Sequence, residues 1–152
     1  MTFPGPLQDI KAGIRFLKAS SKTEPNKYKF DPTKVAVAGN SSGGYWSTMV
    51  GVTSNLDKIQ YPNSRTGEMQ DVALDVGANL DESSAVNAVI DFYGVSDLTI
   101  IGAGLAQELQ DSHKSAATTE ALLLNGAGAG AAKPGVFDPS MNDKVAAASP
   151  FS

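Results

Sequence analysis

The 152-residue chain has no cysteine and only one histidine. The first absence excludes a disulfide framework, a thiolate metal site and a cysteine nucleophile, and leaves the compartment open. The second matters more, because acyl transfer on a serine normally needs an imidazole base. Excess positive charge is also missing: 12 Lys and Arg against 16 Asp and Glu give a net charge of −4 and a pI near 4.8. Neither nucleic acid nor an anionic membrane surface attracts an acidic protein, so neither is expected as a partner. No apolar run reaches the roughly 18 residues of a membrane span. No basic-then-apolar leader opens the sequence, so no secretion signal is expected among these residues. Hydrophobic residues nevertheless make up 41% of the chain, enough for a core. The length suits a single domain.

Residues 6–20 predict an amphipathic helix, with Leu7, Ile10, Ile14 and Leu17 on one face, Asp9 in the first turn and Lys18 near the end. Asp31-Pro32-Thr33-Lys34 reads as a turn. Val35-Ala36-Val37-Ala38 is apolar without alternation, the pattern of a parallel strand covered on both faces. A tight turn over 39–44 and a mostly apolar helix over 45–52 follow. Residues 54–84 lose periodicity and read as a structureless excursion over the sheet edge. Val86 to Phe92 is a second strand, Gly104–Asp111 and Thr118–Leu124 are short helices, and Gly126–Ala132 is a flexible Gly/Ala loop. Helix, strand, helix, strand in this order predicts an α/β fold, with a parallel sheet and flanking helices.

Gly39-Asn40-Ser41-Ser42-Gly43 fits G-x-S-x-G, the nucleophile elbow. A strand must reverse sharply into a helix while one serine is held at the tip. Glycines two residues to either side remove Cβ atoms that would collide there. The bare pattern would arise by luck in about one such chain in ten, given ordinary glycine and serine usage. Its setting, directly after a buried-type strand and directly before an apolar helix, is what the motif requires. Ser41 is therefore the candidate nucleophile, and the backbone N–H of Ser42 the candidate oxyanion donor.

Several blocks carry a family resemblance. They are Phe3-Pro4 through Ala12, Phe30 through Gly39, Ser41-Ser42-Gly43-Gly44, Val76 through Leu80, Ser83 through Val86, Asp91-Phe92-Tyr93-Gly94 with Asp97-Leu98, Ala121 through Leu124, and Ala148 through Phe151. Together they resemble the central part of α/β-hydrolase carboxylesterases of the acetyl/feruloyl-esterase-like group, near the hormone-sensitive-lipase type. The resemblance implies a serine hydrolase that cleaves carboxylic esters through an acyl-enzyme on Ser41, with a small-molecule ester as partner and neither cofactor nor metal. It also implies a single, incomplete domain over 1–152, with a cap-like region over 99–135. In such enzymes the oxyanion loop lies upstream, and the catalytic acid and His lie downstream. This chain alone is thus expected to be inactive, or to need the missing parts of the same fold or a second copy. The alternative is a non-catalytic remnant or interaction module that keeps the elbow as architecture.

Other residues could carry chemistry. Ser41, then Asp97 or Asp111, then His113 follows the hydrolase order of nucleophile, acid and base. However, Gln110 to Lys114 reads as the solvated end of a helix, which makes His113 an exposed residue, and Asp97 reads as a turn cap. Gly126 to Ala131 satisfies G-x-G-x-x-A, but no clear strand precedes it and Pro134 blocks the helix that should follow. Asp71, Asp75, Asp81 and Glu82 lack calcium-loop spacing and read as a solvated acidic loop. Trp46 reads as helix packing rather than acyl-pocket lining.

Overall fold

The computed structural model describes residues 2–63, 66–125 and 135–150. The first helix, α1 (Gly5–Thr23), is longer than its apolar stripe and starts with a proline in its first turn. Asp9 consequently lies beyond that turn and does not serve the helix dipole. The buried face is also rotated from the expected one. Leu7 and Ile14 are buried, Leu17 is exposed, and Lys11 and Arg15 lie fully inside. Burial is affordable for these two cations because backbone carbonyls surround them. Lys11 Nζ donates to the carbonyls of Thr53 (2.8 Å) and Leu56 (3.0 Å). Arg15 donates to Asp75 Oδ1 (2.6 Å) and to the carbonyls of Val76 and Ala78. Desolvation lowers the pKa of Lys11, against the opposing pull of Asp75.

A short helix α2 (Pro25–Tyr28) leads to β1 (Ala36–Asn40), and α3 (Ser42–Val52) begins one residue later. The helix thus starts three residues before position 45, because Ser42, Gly43 and Gly44 are themselves helical. The expected excursion over 54–84 is not structureless: β2 (Lys58–Pro62) and β3 (Met69–Ala73) form an antiparallel pair, with Lys58 opposite Ala73 and Pro62 opposite Met69. Polar cross-strand partners hide this hairpin in the sequence. Lys58 and Gln60 both reach Asp71 on the facing strand, while Tyr61 turns into the core.

The parallel expectation holds for β1 and β4 (Ala88–Phe92), which pair from Ala36 opposite Ala88 to Asn40 opposite Phe92. Two-sided cover does not. Alternate residues of β1 and all five of β4 are exposed. Helix α3 packs against both strands from one side, with Gly51 closely approached by Val89. The core lies instead between α1, α3, the β2–β3 hairpin and the C-terminal elements, joining Phe3, Leu7, Tyr45, Met49, Leu74 and Val145. Beyond β4 come a 3-10 turn at Leu98–Ile100, α4 (Gln107–Ser112), α5 (Thr119–Asn125), another 3-10 turn at Pro139–Met141 and α6 (Asn142–Ala147). The Gly126–Ala132 loop and the G-x-G-x-x-A pattern fall outside the described residues. Among the described residues, no helix is long and apolar enough to cross a membrane.

Candidate active site

Ser41 is the single residue between β1 and α3, and its backbone sits at φ 53°, ψ −122°. A β-carbon costs energy there, so neighbours must hold the conformation. Ser41 N–H donates to the Phe92 carbonyl (2.9 Å), continuing the β1–β4 ladder past the last paired residue. Its own carbonyl accepts from Tyr45 N–H (3.1 Å), the first turn of α3. The turn is tight enough that a Cβ on Gly39 would lie 2.3 Å from both the carbonyl carbon and oxygen of Gly43. A Cβ on Gly43, by contrast, would meet nothing within 4 Å. Only the upstream glycine of the motif is therefore sterically required. Gly43 contributes the close backbone rather than a missing side chain.

A second close approach secures the other flank. A Cβ on Gly44 would lie 2.1 Å from Asp91 Oδ1, and one on Gly94 would lie 2.3 Å from Tyr45 N. Asp91 locks this corner, accepting from Gly94 N–H (2.7 Å) and Thr48 Oγ1 (2.8 Å). Composition and spacing did not single out this clamp. The clue in the sequence was an acid next to last in a strand, followed three residues later by glycine.

The hydroxyl of Ser41 is the informative feature. Serine at a helix N-cap normally accepts from an amide of the first turn. Here Ser41 is the N-cap of α3 and makes no such bond. The residue is exposed, and among the described residues its hydroxyl has no hydrogen-bond partner. Ser42 opens the helix, so its N–H is one of the first-turn amides that no helical carbonyl can accept. The helix dipole places positive potential at the same point.

His113 is not brought to this tip. It closes α4 and is three-quarters covered rather than solvated. Its Nδ1 lies 2.6 Å from Glu120 Oε1, and its ring lies against Gly102, where a Cβ would sit 2.8 Å from Cδ2. Among the described residues it makes no hydrogen bond to Ser41. Asp97 caps the 3-10 turn, accepting from Thr99 N–H (2.8 Å) and Oγ1 (2.6 Å), and these bonds hold its carboxyl below the ordinary value. Asp111 is bonded to Lys114 and Gln107. The acidic residues of 71–82 are dispersed, with Asp71 on Lys58, Asp75 on Arg15 and Glu82 on Lys22. Among the described residues no three acidic or histidine side chains are grouped to hold a metal ion. Trp46 stacks on Phe3 (6.3 Å between centroids) and edge-on to Tyr45 (4.6 Å), which is packing. Burial pushes the Tyr45 phenol far above its usual range while its hydroxyl donates to the Ala148 carbonyl (2.8 Å).

Two solved structures share this fold. The solved structure of a truncated form of a carbohydrate esterase from gut microbiota superimposes with a TM-score of 0.72 at 27% identity, covering 99% of this chain and 45% of that one. A bifunctional GH43-CE protein of Bacteroides eggerthii gives a TM-score of 0.70 at 28% identity, covering 99% of this chain and 18% of that one. The chain thus spans less than half the length of either. No curated protein matches it. Residues 1–145 match a single family model, and that match takes in β1, Ser41, α3 and β4 together. The chain accordingly belongs to BD-FAE, a feruloyl/acetyl-esterase-like family of α/β-hydrolase fold.

Proposed function

We propose that the chain carries the nucleophile half of a serine esterase acting on carboxylic esters of carbohydrates. One observation carries the reading. Ser41 occupies a strained strand-to-helix tip, and its hydroxyl is withheld from the cap it could have made. In the reaction Ser41 Oγ attacks the ester carbonyl as an imidazole takes its proton. The Ser42 N–H donates to the oxygen that becomes negative. The tetrahedral intermediate collapses, the alcohol leaves with that proton, and water then releases the acid from the acyl-enzyme. The carbohydrate part rests on similarity to the carbohydrate esterase from gut microbiota and the bifunctional GH43-CE protein.

The base and its orienting carboxylate lie, in this reading, outside these 152 residues, because the only histidine is engaged with Glu120. A general base contributes about 10²–10⁴-fold. Turnover of a short-chain activated ester by this chain should therefore stay within about twofold of its Ser41→Ala variant. Prolonged exposure to excess fluorophosphonate should still give an adduct that maps to Ser41 and not to Ser42. Adducts spread evenly over exposed serines would overturn the nucleophile, and the elbow would then be architecture in an interaction module. Fast turnover abolished by both Ser41→Ala and His113→Ala would instead make His113 the base.

A further inference from the structure

The strained tip at Ser41 has a counterpart beside it. Asn40 pairs with Phe92, so Tyr93 is the residue facing Ser41 at the carboxyl end of the parallel pair. Tyr93 also has a left-handed backbone, with φ 47°. A bulky aromatic at positive φ is a true outlier, since the position suits glycine. It is not compensated by burial, because Tyr93 is 76% exposed, the most exposed of the large apolar and aromatic side chains among the described residues. Its one polar contact is with the residue before the nucleophile: Asn40 Nδ2 donates to Tyr93 Oη (3.0 Å). That bond uses an acceptor site on the phenol oxygen and orients it. The phenol's own O–H has no acceptor among the described residues and is left as a donor.

We infer that Tyr93 is a substrate-contacting residue. Its oriented phenol O–H donates to an oxygen of a polyhydroxylated alcohol, and its ring offers an apolar face to that group. The inference rests on Ser41 being the reacting centre. Ligands of open parallel sheets bind outside the carboxyl ends of the strands, which is where Ser41 and Tyr93 stand side by side. Backbone strain clusters at active sites and ligand clamps, and of the four described non-glycine residues at positive φ, Ser41 and Tyr93 alone stand at this end of the sheet. A phenol with its acceptor side filled and its proton free selects an oxygen acceptor, and saccharide hydroxyls and ring oxygens supply acceptors in number.

Xylotriose serves as the probe, titrated into the ¹⁵N-labelled full chain. The amides of Ser41, Ser42, Tyr93 and Gly94 should shift together on binding. Tyr93→Phe, which keeps the ring and loses one neutral hydrogen bond, should raise Kd about fivefold to tenfold. Tyr93→Gly should weaken binding further without lowering Tm, because glycine adopts φ 47° freely and little buried surface is lost. A Tyr93 that served structure alone would lower Tm in that variant. Unchanged Kd in Tyr93→Phe, no shift at these amides, or a Tyr93→Gly variant that loses stability along with binding would each overturn the inference. Failure of the nucleophile is read separately. A Ser41 adduct without saccharide shifts removes Tyr93 alone, whereas Tyr93-dependent shifts without an adduct remove Ser41 and leave Tyr93 as a ligand contact.

Discussion

Alanine in place of the two motif glycines should have opposite effects, although the pattern G-x-S-x-G treats them alike. In Gly39→Ala the new Cβ would lie 2.3 Å from the Gly43 carbonyl carbon and oxygen and 2.8 Å from its Cα. All three are backbone atoms of the first turn of α3, so no side-chain rotation relieves the clash. The end of β1 must part from the helix, which strains the Ser41 N–H bond to Phe92. Overpacking costs typically about 1–3 kcal/mol, and a purely backbone obstacle puts this variant at the upper end. With a urea slope of about 1–3 kcal/mol per molar, the midpoint should fall by about 1 M or more. In Gly43→Ala the Cβ meets nothing within 4 Å and φ is not positive. Replacing a helical glycine there should hold stability constant or raise it by up to about 1 kcal/mol. Fluorophosphonate labelling of Ser41 should fall with Gly39→Ala and persist with Gly43→Ala. Midpoints that move equally in the same direction would refute the geometry of the tip.

Three further outcomes follow from the packing. Arg15→Ala should cost about 2–3 kcal/mol, because the charge-assisted bonds to Asp75 and to two carbonyls vanish from a fully buried position. Urea denaturation checks it, and a loss below 0.5 kcal/mol would contradict the account. Asp31, Asp97 and Asp138 each accept from the hydroxyl and the amide of the residue two positions on, which lowers each carboxyl below its ordinary 3.8. Folded-state values below the unfolded one mean that this stability is present above pH 3.8 and is lost as pH falls through the folded values; a Tm that stays flat from pH 5 to pH 2 would refute it. Finally, Val89, Ile90 and Phe92 are exposed on a strand with an open edge, so the chain should bind an apolar dye and associate with rising concentration. A dye-silent monomer with a sharp cooperative melt would count against this.

What was legible in the sequence is what local chemistry dictates. The tight strand-to-helix turn was readable because its steric requirement, a missing Cβ at Gly39, is written as a residue type. The parallel pairing of β1 and β4 was expected from the apolar run without alternation at Val35–Ala38, although the two-sided cover behind that expectation is not found among the described residues. The hairpin at β2 and β3 was not, because Lys58, Gln60 and Asp71 satisfy one another across the strands and dilute the alternation of Ile59 and Tyr61. Nor was the rotated face of α1. A stripe of Leu7, Ile10, Ile14 and Leu17 is the better hydrophobic face. But carbonyls of the loops after α3 and β3 need donors, and Lys11 and Arg15 supply them. Unmet backbone acceptors are a tertiary fact, and no periodicity reports them. His113 was misplaced for a similar reason, since the partner that covers it, Glu120, comes from the next helix.

The clearest functional signal is a pair of costs accepted at adjoining positions. Ser41 and Tyr93 each sit at positive φ, at about 1–3 kcal/mol apiece. Ser41 also forgoes a cap that serine supplies for about 0.5–2 kcal/mol elsewhere. Hydroxyls further along the helix do not behave this way, although that of Ser42, next to the tip, is likewise exposed. Ser47 bonds to the Gly43 carbonyl, Thr48 to Asp91, Thr53 to the Met49 carbonyl and Ser54 to the Val50 carbonyl. From Ser47 onward, then, the hydroxyls of α3 and of the residues after it find partners, and the serine best placed to cap the helix does not. The surroundings enforce that outcome: the Phe92 carbonyl holds the Ser41 amide, Gly39 lets the first turn of α3 press against the strand, and Asp91 pins the corner through Thr48 and Gly94. Stability alone would favour glycine at both strained positions. A serine and a tyrosine there, each presenting a free hydroxyl proton at the same end of the sheet, are better explained by what they bind than by what they hold together.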